Sequence, residues 1–385
     1  VARILFVVPP LVGHTNPTVS VAGALAALGH EVAWAAHPDK VASLLPAGAR
    51  ILSLGDDCDE AVFAPILERS RRVRGLEGLQ FLWQDFLVPL ARAMRPAVEA
   101  AIAEARPDLV VVDQQAIGGA LAARRLGLRW ATLATTSADL TDPLAALPKV
   151  KAWVLGQLAA LQEEAGLPVV ERPDLSPHLV LVLSTEALIG DVSAFPSSAR
   201  LVGPAFRDRP DATAFPWDAL EKRPRVLVSL GTVNADRGEG FYRTVCAALG
   251  DAPFQVILVA PDGMVGATPP GFLIRPRVPQ LALLPHVQAV VSHGGHNTVC
   301  ETLAHGIPLV VTPIKDDQPV IAEQVVRAGC GLRLRFGRLD PASLRAAVDR
   351  VLREPSFREN AARVQASFAA AGGARAAAQL IHEGL

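Results

Sequence analysis

The stretch 277-RVPQLALLPHVQAVVSHGGHNTVCETLAHGIPLVVTPIKDDQPVIAEQ-324 contains the strand, turn and helix that decide the fold. Val287 to Ser292 is an apolar run of strand length, Gly294 and Gly295 permit a tight turn, and Asn297 to Ala304 has helical spacing closed by Gly306 and Pro308. A strand that turns directly into a helix brings outward-pointing N–H groups and the positive end of the helix dipole to one place. Both favour an anion there. His293, Asn297 and Thr298 stand beside the turn as hydrogen-bond donors, and a diphosphate suits that set. Glu301, four residues after Asn297, shares its helix face and can accept from ribose hydroxyls, so the site suits a nucleotide rather than bare phosphate. Val299 and Leu303, also four apart, are expected to hold the helix to the sheet. After the next apolar run, Ile307 to Val311, Asp317 and Gln318 fall at the carboxyl end, where open α/β sheets collect ligands; a carboxylate beside an amide suits sugar hydroxyls. The stretch therefore reads as a nucleotide-sugar site.

The same alternation extends outward. Ile4 to Val8, Leu109 to Val112, Ala131 to Ala134 and Leu179 to Leu183 are unalternating apolar runs, which suit strands buried on both faces. Helical stretches such as Thr18 to Leu28 and Pro89 to Ala105 lie between them, predicting a parallel sheet. A second set of strands starts at Arg225 and continues through Gln255 to Val259, Ala289 to Ser292 and Ile307 to Val311. With 385 residues the chain exceeds one core, so two Rossmann-like domains are expected, 1–207 and 225–365. Residues 208–224 are the linker, and 366–385 form a C-terminal helix. Asp56 to Leu90 and Thr135 to Ala160 are the least regular parts of the first half. The former mixes Phe63, Phe81, Trp83 and Phe86 with loop residues, which fits either an apolar pocket under a lid or helices packed on the core.

Half the residues are apolar, and the formal net charge is -1, giving no electrostatic reason to expect nucleic acid. The one dense basic cluster, Arg69, Arg71, Arg72 and Arg74, reads as a solvated helix end or loop. Cys58, Cys246, Cys300 and Cys330 are scattered, with no zinc spacing, and read as inert thiols. Asp57 and Asp59 have the spacing of a cation-binding carboxylate pair but lie outside the nucleotide half, so a solvated acidic turn is expected and no metal site. No apolar segment reaches the roughly 18 residues of a membrane span, and no basic lead precedes the first strand. A cytoplasmic protein is expected.

The quoted stretch closely resembles the donor-binding signature of family 1 glycosyltransferases, which move sugars from UDP- or dTDP-sugars to small lipophilic acceptors. The opening FVVPPLVGHTNPTVSVAGALAALGHEVAWAA resembles that family's first strand, Gly-His loop and first helix, which implies that His14 is the catalytic base. PDLVVVDQQAIGGALAA resembles the strand supplying the acidic partner of that base, here Asp113, and VLVSLGTVNAD resembles the phosphate-side loop of the second domain, here Thr232. The resemblance implies a GT-B fold, α/β, with two Rossmann-like domains facing across a cleft. The acceptor would lie in the first domain, the donor in the second, and the C-terminal helix would cross back to the first. Donor contacts carried over are Thr232, Arg277, Val278, Gln280, His293, Gly295, His296, Asn297, Thr298, Glu301, Asp317 and Gln318. Plant members carry Trp where this chain has Arg277; a planar guanidinium can also stack on a base. They also carry Trp at His296, a change of small cost if that position works through its backbone N–H. The bacterial enzymes that decorate antibiotics and macrolides are the nearest in character.

An imidazole titrating near neutrality suits deprotonation of an acceptor hydroxyl. His14 is read in a loop after the first strand, with Asp113 ending another strand at the same sheet edge and able to hold the imidazole tautomer. The expected reaction is metal-independent and inverting, with a nucleotide-sugar co-substrate, UDP-glucose or a dTDP-deoxysugar, and no cofactor. The partners are a small-molecule acceptor and that donor, and the sequence leaves room for a homodimer. Two rival readings are a nucleotide-sugar epimerase of similar fold and a non-catalytic auxiliary subunit. Asp317 has a rival reading as a helix cap before Pro319.

Overall fold

A computed structural model describes residues 1–55, 66, 68–69, 73, 75–206, 213–231 and 238–384. The chain forms two compact units, one of residues 1–184, 192–210 and 371–385, the other of 185–191 and 211–370.

The first unit is built on a seven-stranded parallel sheet, β1 (Arg3–Val7), β2 (Glu31–Ala36), β3 (Arg50–Ser53), β4 (Leu109–Asp113), β5 (Trp130–Ala134), β6 (Val180–Val182) and β7 (Ala199–Leu201). Its order is β3-β2-β1-β4-β5-β6-β7, so the winding reverses between β1 and β4. In open α/β sheets that reversal opens a crevice beyond the carboxyl ends of the two strands. β4 and β5 are buried at every position, as strands covered on both faces should be. Helix α1 (Val12–Ala27) follows β1 and is tied to the sheet by the Trp34 indole, which donates to Thr18 Oγ1 at 2.9 Å. This helix starts six residues earlier than the predicted Thr18, because Gly13, Asn16 and Pro17 are poor helix formers that hide it. Tertiary packing overrides them: Thr15, Pro17, Thr18 and Val19 are buried.

The stretch from Thr135 to Ala160 is more regular than expected, since Pro148–Glu164 is a helix. Phe81 is buried, while Trp83 and Phe86 pack against the cluster of Leu87, Ile117 and Leu158, so these three aromatics belong to helix packing. Phe63, Cys58, the Asp57 and Asp59 pair, and three arginines of the basic cluster (Arg71, Arg72, Arg74) lie outside the described residues. The terminal stretch is two helices, Pro355–Ala371 in the second unit and Gly373–Glu383 in the first. The latter seats Ala377, Ala378 and Ile381 in the core with Val21 and Leu25 of α1, and Gly373 N–H donates to Val202 O at 2.6 Å.

The second unit carries a six-stranded parallel sheet: β8 (Arg225–Ser229), β9 (Gln255–Val259), β10 (Phe272–Arg275), β11 (Ala289–Ser292), β12 (Leu309–Val311) and β13 (Gly331–Arg333). The order β10-β9-β8-β11-β12-β13 reverses between β8 and β11. The short helix Glu186–Ile189 goes with this unit. Cys300 and Cys330 are buried free thiols, Cys330 pushed up to about 12 by burial, and Cys246 is half-buried. Among the described residues no helix is long and apolar enough to cross a membrane.

Candidate functional site

Each unit gathers polar side chains at its own reversal point. In the first unit His14 stands in the opening turn of α1, past the loop that follows β1, rather than in that loop as expected. Asp113 is the last residue of β4, its side chain wholly buried. His14 Nδ1 lies 2.9 Å from Asp113 Oδ1 and 3.0 Å from Oδ2. The Thr135 hydroxyl, just past β5, donates to Asp113 Oδ2 at 2.7 Å and lies 2.8 Å from His14 Nδ1. Gln115 N–H donates to Asp113 Oδ1 at 2.8 Å. A carboxylate withdrawn from water is thus supplied with several donors. With Asp113 accepting at Nδ1, the imidazole carries its proton there and keeps the lone pair on Nε2, the arrangement of a general base.

In the second unit the paired strand ends repeat one device. Ser229 and Ser292 are register partners on β8 and β11, and each side-chain oxygen accepts from the backbone two residues on, Gly231 N–H at 3.2 Å and Gly294 N–H at 3.1 Å. The two turns bring Gly231 to the His293 ring. A Cβ on Gly231 would lie 2.6 Å from His293 Cε1, and one on Gly295 would lie 2.5 Å from Nε2, so only hydrogens at both positions leave room for the imidazole. Burial lowers the His293 pKa from 6.5 to about 4, so near neutral pH the ring is uncharged and donates from one nitrogen only. The helix His296–Leu303 opens immediately after Gly295, whose backbone is extended. Its dipole directs partial positive charge toward the same turn.

The expected donor residues divide into groups. Gln280 and Glu301 meet: the Gln280 amide donates to Glu301 Oε2 at 2.5 Å, and Glu301 is 2% exposed. Asn297 and Thr298 are half-buried in the first helical turn, and Val299 and Leu303 are fully buried behind them. The His296 side chain is buried, 3.5 Å from Cys300 Sγ. Gln318 accepts through Oε1 from Ile314 N–H at 2.9 Å and Lys315 N–H at 3.2 Å, so its oxygen is taken up by the loop after β12. Asp317 occupies the N-cap position of helix Gln318–Arg327, as its rival reading has it, and its backbone oxygen accepts from Ile321 N–H at 3.1 Å, although its side chain makes no capping bond. Asp316 beside it has φ 55°, a left-handed conformation uncommon for a residue with a side chain. Val278 packs at the edge of the cluster of Leu283, Leu284 and Val287, and Arg277 is exposed. Thr232 lies outside the described residues.

Sequence reasoning missed Thr135 and Gly231. Thr135 follows β5, the neighbour of β4, and its position at a carboxyl strand end was the available signal.

Residues 244–382 match the family described as "Erythromycin biosynthesis protein CIII-like, C-terminal domain". The chain is 31% identical over 427 residues to 4'-demethylrebeccamycin synthase of Lentzea aerocolonigenes, covering 100% of this chain and 99% of that protein. It is 30% identical over 406 residues to demethyllactenocin mycarosyltransferase of Streptomyces fradiae, covering 100% and 86%. Among solved structures it is similar to the glycotransferase of kitacinnamycin, with TM-score 0.79, 27% identity and coverage of 100% and 99%. The two-sheet architecture is accordingly the GT-B fold.

Proposed function

Because the chain belongs to the bacterial family 1 glycosyltransferases of natural-product biosynthesis, enzymes that use nucleotide sugars, we propose that it transfers a hexose with inversion and without a metal. The donor is UDP-glucose or a dTDP-deoxysugar, held by the second unit, and the acceptor is a lipophilic hydroxyl compound held by the first. The observation that carries this reading is the pairing of His14 with Asp113 at the β1/β4 reversal.

In this mechanism His14 Nε2 takes the acceptor proton as the hydroxyl oxygen attacks the anomeric carbon, and Asp113 stabilises the imidazolium that forms. The bond to the diphosphate oxygen breaks on the opposite face, which inverts the anomeric centre. His293 and the amino end of helix His296–Leu303 stabilise the charge growing on the departing diphosphate. That supply of positive potential supports metal independence. Glu301, oriented by Gln280, accepts from the ribose, and Asp317 with the Gln318 NH2 group holds the hexose. The relatives do not favour the epimerase or auxiliary-subunit alternatives.

The test is transfer from an α-linked UDP- or dTDP-hexose to a phenolic acceptor in EDTA, with the product's anomeric proton read by NMR. A β-linked product formed at undiminished rate is expected. An α-linked product overturns inversion, and activity lost in EDTA and restored by Mn²⁺ overturns metal independence.

A further inference from the structure

Beside the His14 and Asp113 pair the first unit holds a second polar group that the transfer mechanism does not use. Gln114, next in sequence to Asp113, is 5% exposed, and its amide nitrogen donates to Asp139 Oδ2 at 3.3 Å. That contact fixes the amide with nitrogen toward the carboxylate and leaves Gln114 Oε1 buried without a hydrogen-bond partner. A buried oxygen in that state is costly unless a donor arrives.

Asp139 lies in the short helical turn Ala138–Thr141, yet among the described residues its carboxylate accepts only the long bond from Gln114. The nearest guanidinium does not neutralise it. Arg172 gives Nε and Nη2 to the Asp174 carboxylate at 2.9 and 2.6 Å, and offers Asp139 only a bond to its backbone oxygen at 3.2 Å. Asp139 and Asp174 therefore share one guanidinium, whose side-chain bonds go to Asp174. Desolvation raises the Asp139 carboxyl above its ordinary range even though the residue keeps exposed surface; Arg172 acts against this shift, Asp174 adds to it, and both His14 and Asp113 are near enough to act on it. A group that carries positive charge and several N–H donors satisfies both the carboxylate and the amide oxygen. A hydroxyl satisfies one of them and leaves the charge unbalanced.

Resting on the glycosyltransferase reading, we infer that Asp139 and Gln114 form an acceptor subsite that binds a cationic amino group on the molecule whose hydroxyl faces His14. The two residues determine specificity and take no part in bond making.

The experiment compares tyramine with 4-ethylphenol, which share a phenol and differ in the amino group, by calorimetric titration of the full chain at neutral pH without donor. The wild type should bind tyramine about tenfold or more tightly, the order of one charge-assisted hydrogen bond. Asp139→Asn should bring the ratio near one, Asp139→Glu should retain a preference, and Gln114→Leu should reduce it. A ratio near one in the wild type, or an equal ratio in wild type and Asp139→Asn, overturns the subsite. Should Asp139→Asn fail to fold, the wild-type ratio and Gln114→Leu decide: an unchanged ratio in Gln114→Leu counts against it. Binding without donor is independent of turnover, so a tyramine preference with no sugar transfer overturns the transferase mechanism and upholds the subsite.

Discussion

His14 Nδ1 and Asp113 Oδ1 stand 2.9 Å apart although 99 residues separate them in the chain. The reversal of strand order places the ends of β1 and β4 side by side, so the contact follows from topology. His14→Ala should lower kcat by about 10² to 10⁴-fold, the usual contribution of general-base catalysis, with nucleotide affinity retained. Asp113→Asn should also lower kcat, since an amide can offer N–H to Nδ1 and move the imidazole proton to Nε2. Wild-type kcat in either variant would remove the pair from the mechanism.

In the proposed mechanism Thr135 acts through Asp113, as a positioning residue. Thr135→Val removes the donor to Asp113 Oδ2 while keeping the branched shape, and one ordinary hydrogen bond is worth about 1 kcal/mol. A several-fold drop in kcat is expected, with KM for the donor unchanged and the pH–rate profile displaced. Thr135→Ser should restore most of the rate. A variant with an unaltered pH profile would mark the contact as structural only.

Much of this site was legible because the signals were local. Val287 to Ser292 followed by Gly294 and Gly295 announces a strand-to-helix turn, and the i, i+4 spacing of Asn297 and Glu301 places them on one face. The bond between Gln280 and Glu301 joins two residues each picked out beforehand. Gly231 was illegible for the opposite reason: a glycine's need to be small depends on what approaches it, and His293 approaches from another strand. Likewise the start of α1 was hidden because Gly13 and Pro17 speak against a helix that packing enforces.

The His293 ring makes stability depend on pH in a defined window. Its pKa is about 4 in the fold and 6.5 in the ordinary state, so between these values the unfolded chain binds more protons. The contribution is fully present above 6.5 and is lost as pH falls toward 4. Chemical denaturation at several pH values should show stability rising across this range, and His293→Ala should flatten part of the rise. Parallel curves for the two proteins would show that the ring is not buried in its neutral form.

Gly295→Ala isolates the steric role of that turn. Gly295 has φ −62°, open to any residue, so the backbone bears little strain and the loss of stability, about 1–3 kcal/mol, is that of overpacking. The new methyl would meet His293 Nε2 at 2.5 Å and push the ring aside. UDP and dTDP should each bind about ten- to a hundredfold more weakly by calorimetry, matching the loss of one hydrogen bond to a charged group. Equal affinity in wild type and variant would mean that His293 does not touch the diphosphate.

Arg277 is exposed at the head of the stretch proposed to bind the nucleotide, where a planar side chain would cover a base. An exposed guanidinium loses little by stacking, since one face remains in water, and the contact between cation and ring system adds to the area buried. Arg277→Trp supplies a larger plane without charge, so it should keep nucleotide binding and shift the ratio of UDP to dTDP affinity. Arg277→Ala should weaken both nucleotides several-fold, and the free diphosphate pyrophosphate, which has no base, should bind both variants as it binds wild type. If Arg277→Ala binds UDP and dTDP like the wild type, Arg277 is a surface arginine with no part in holding the donor.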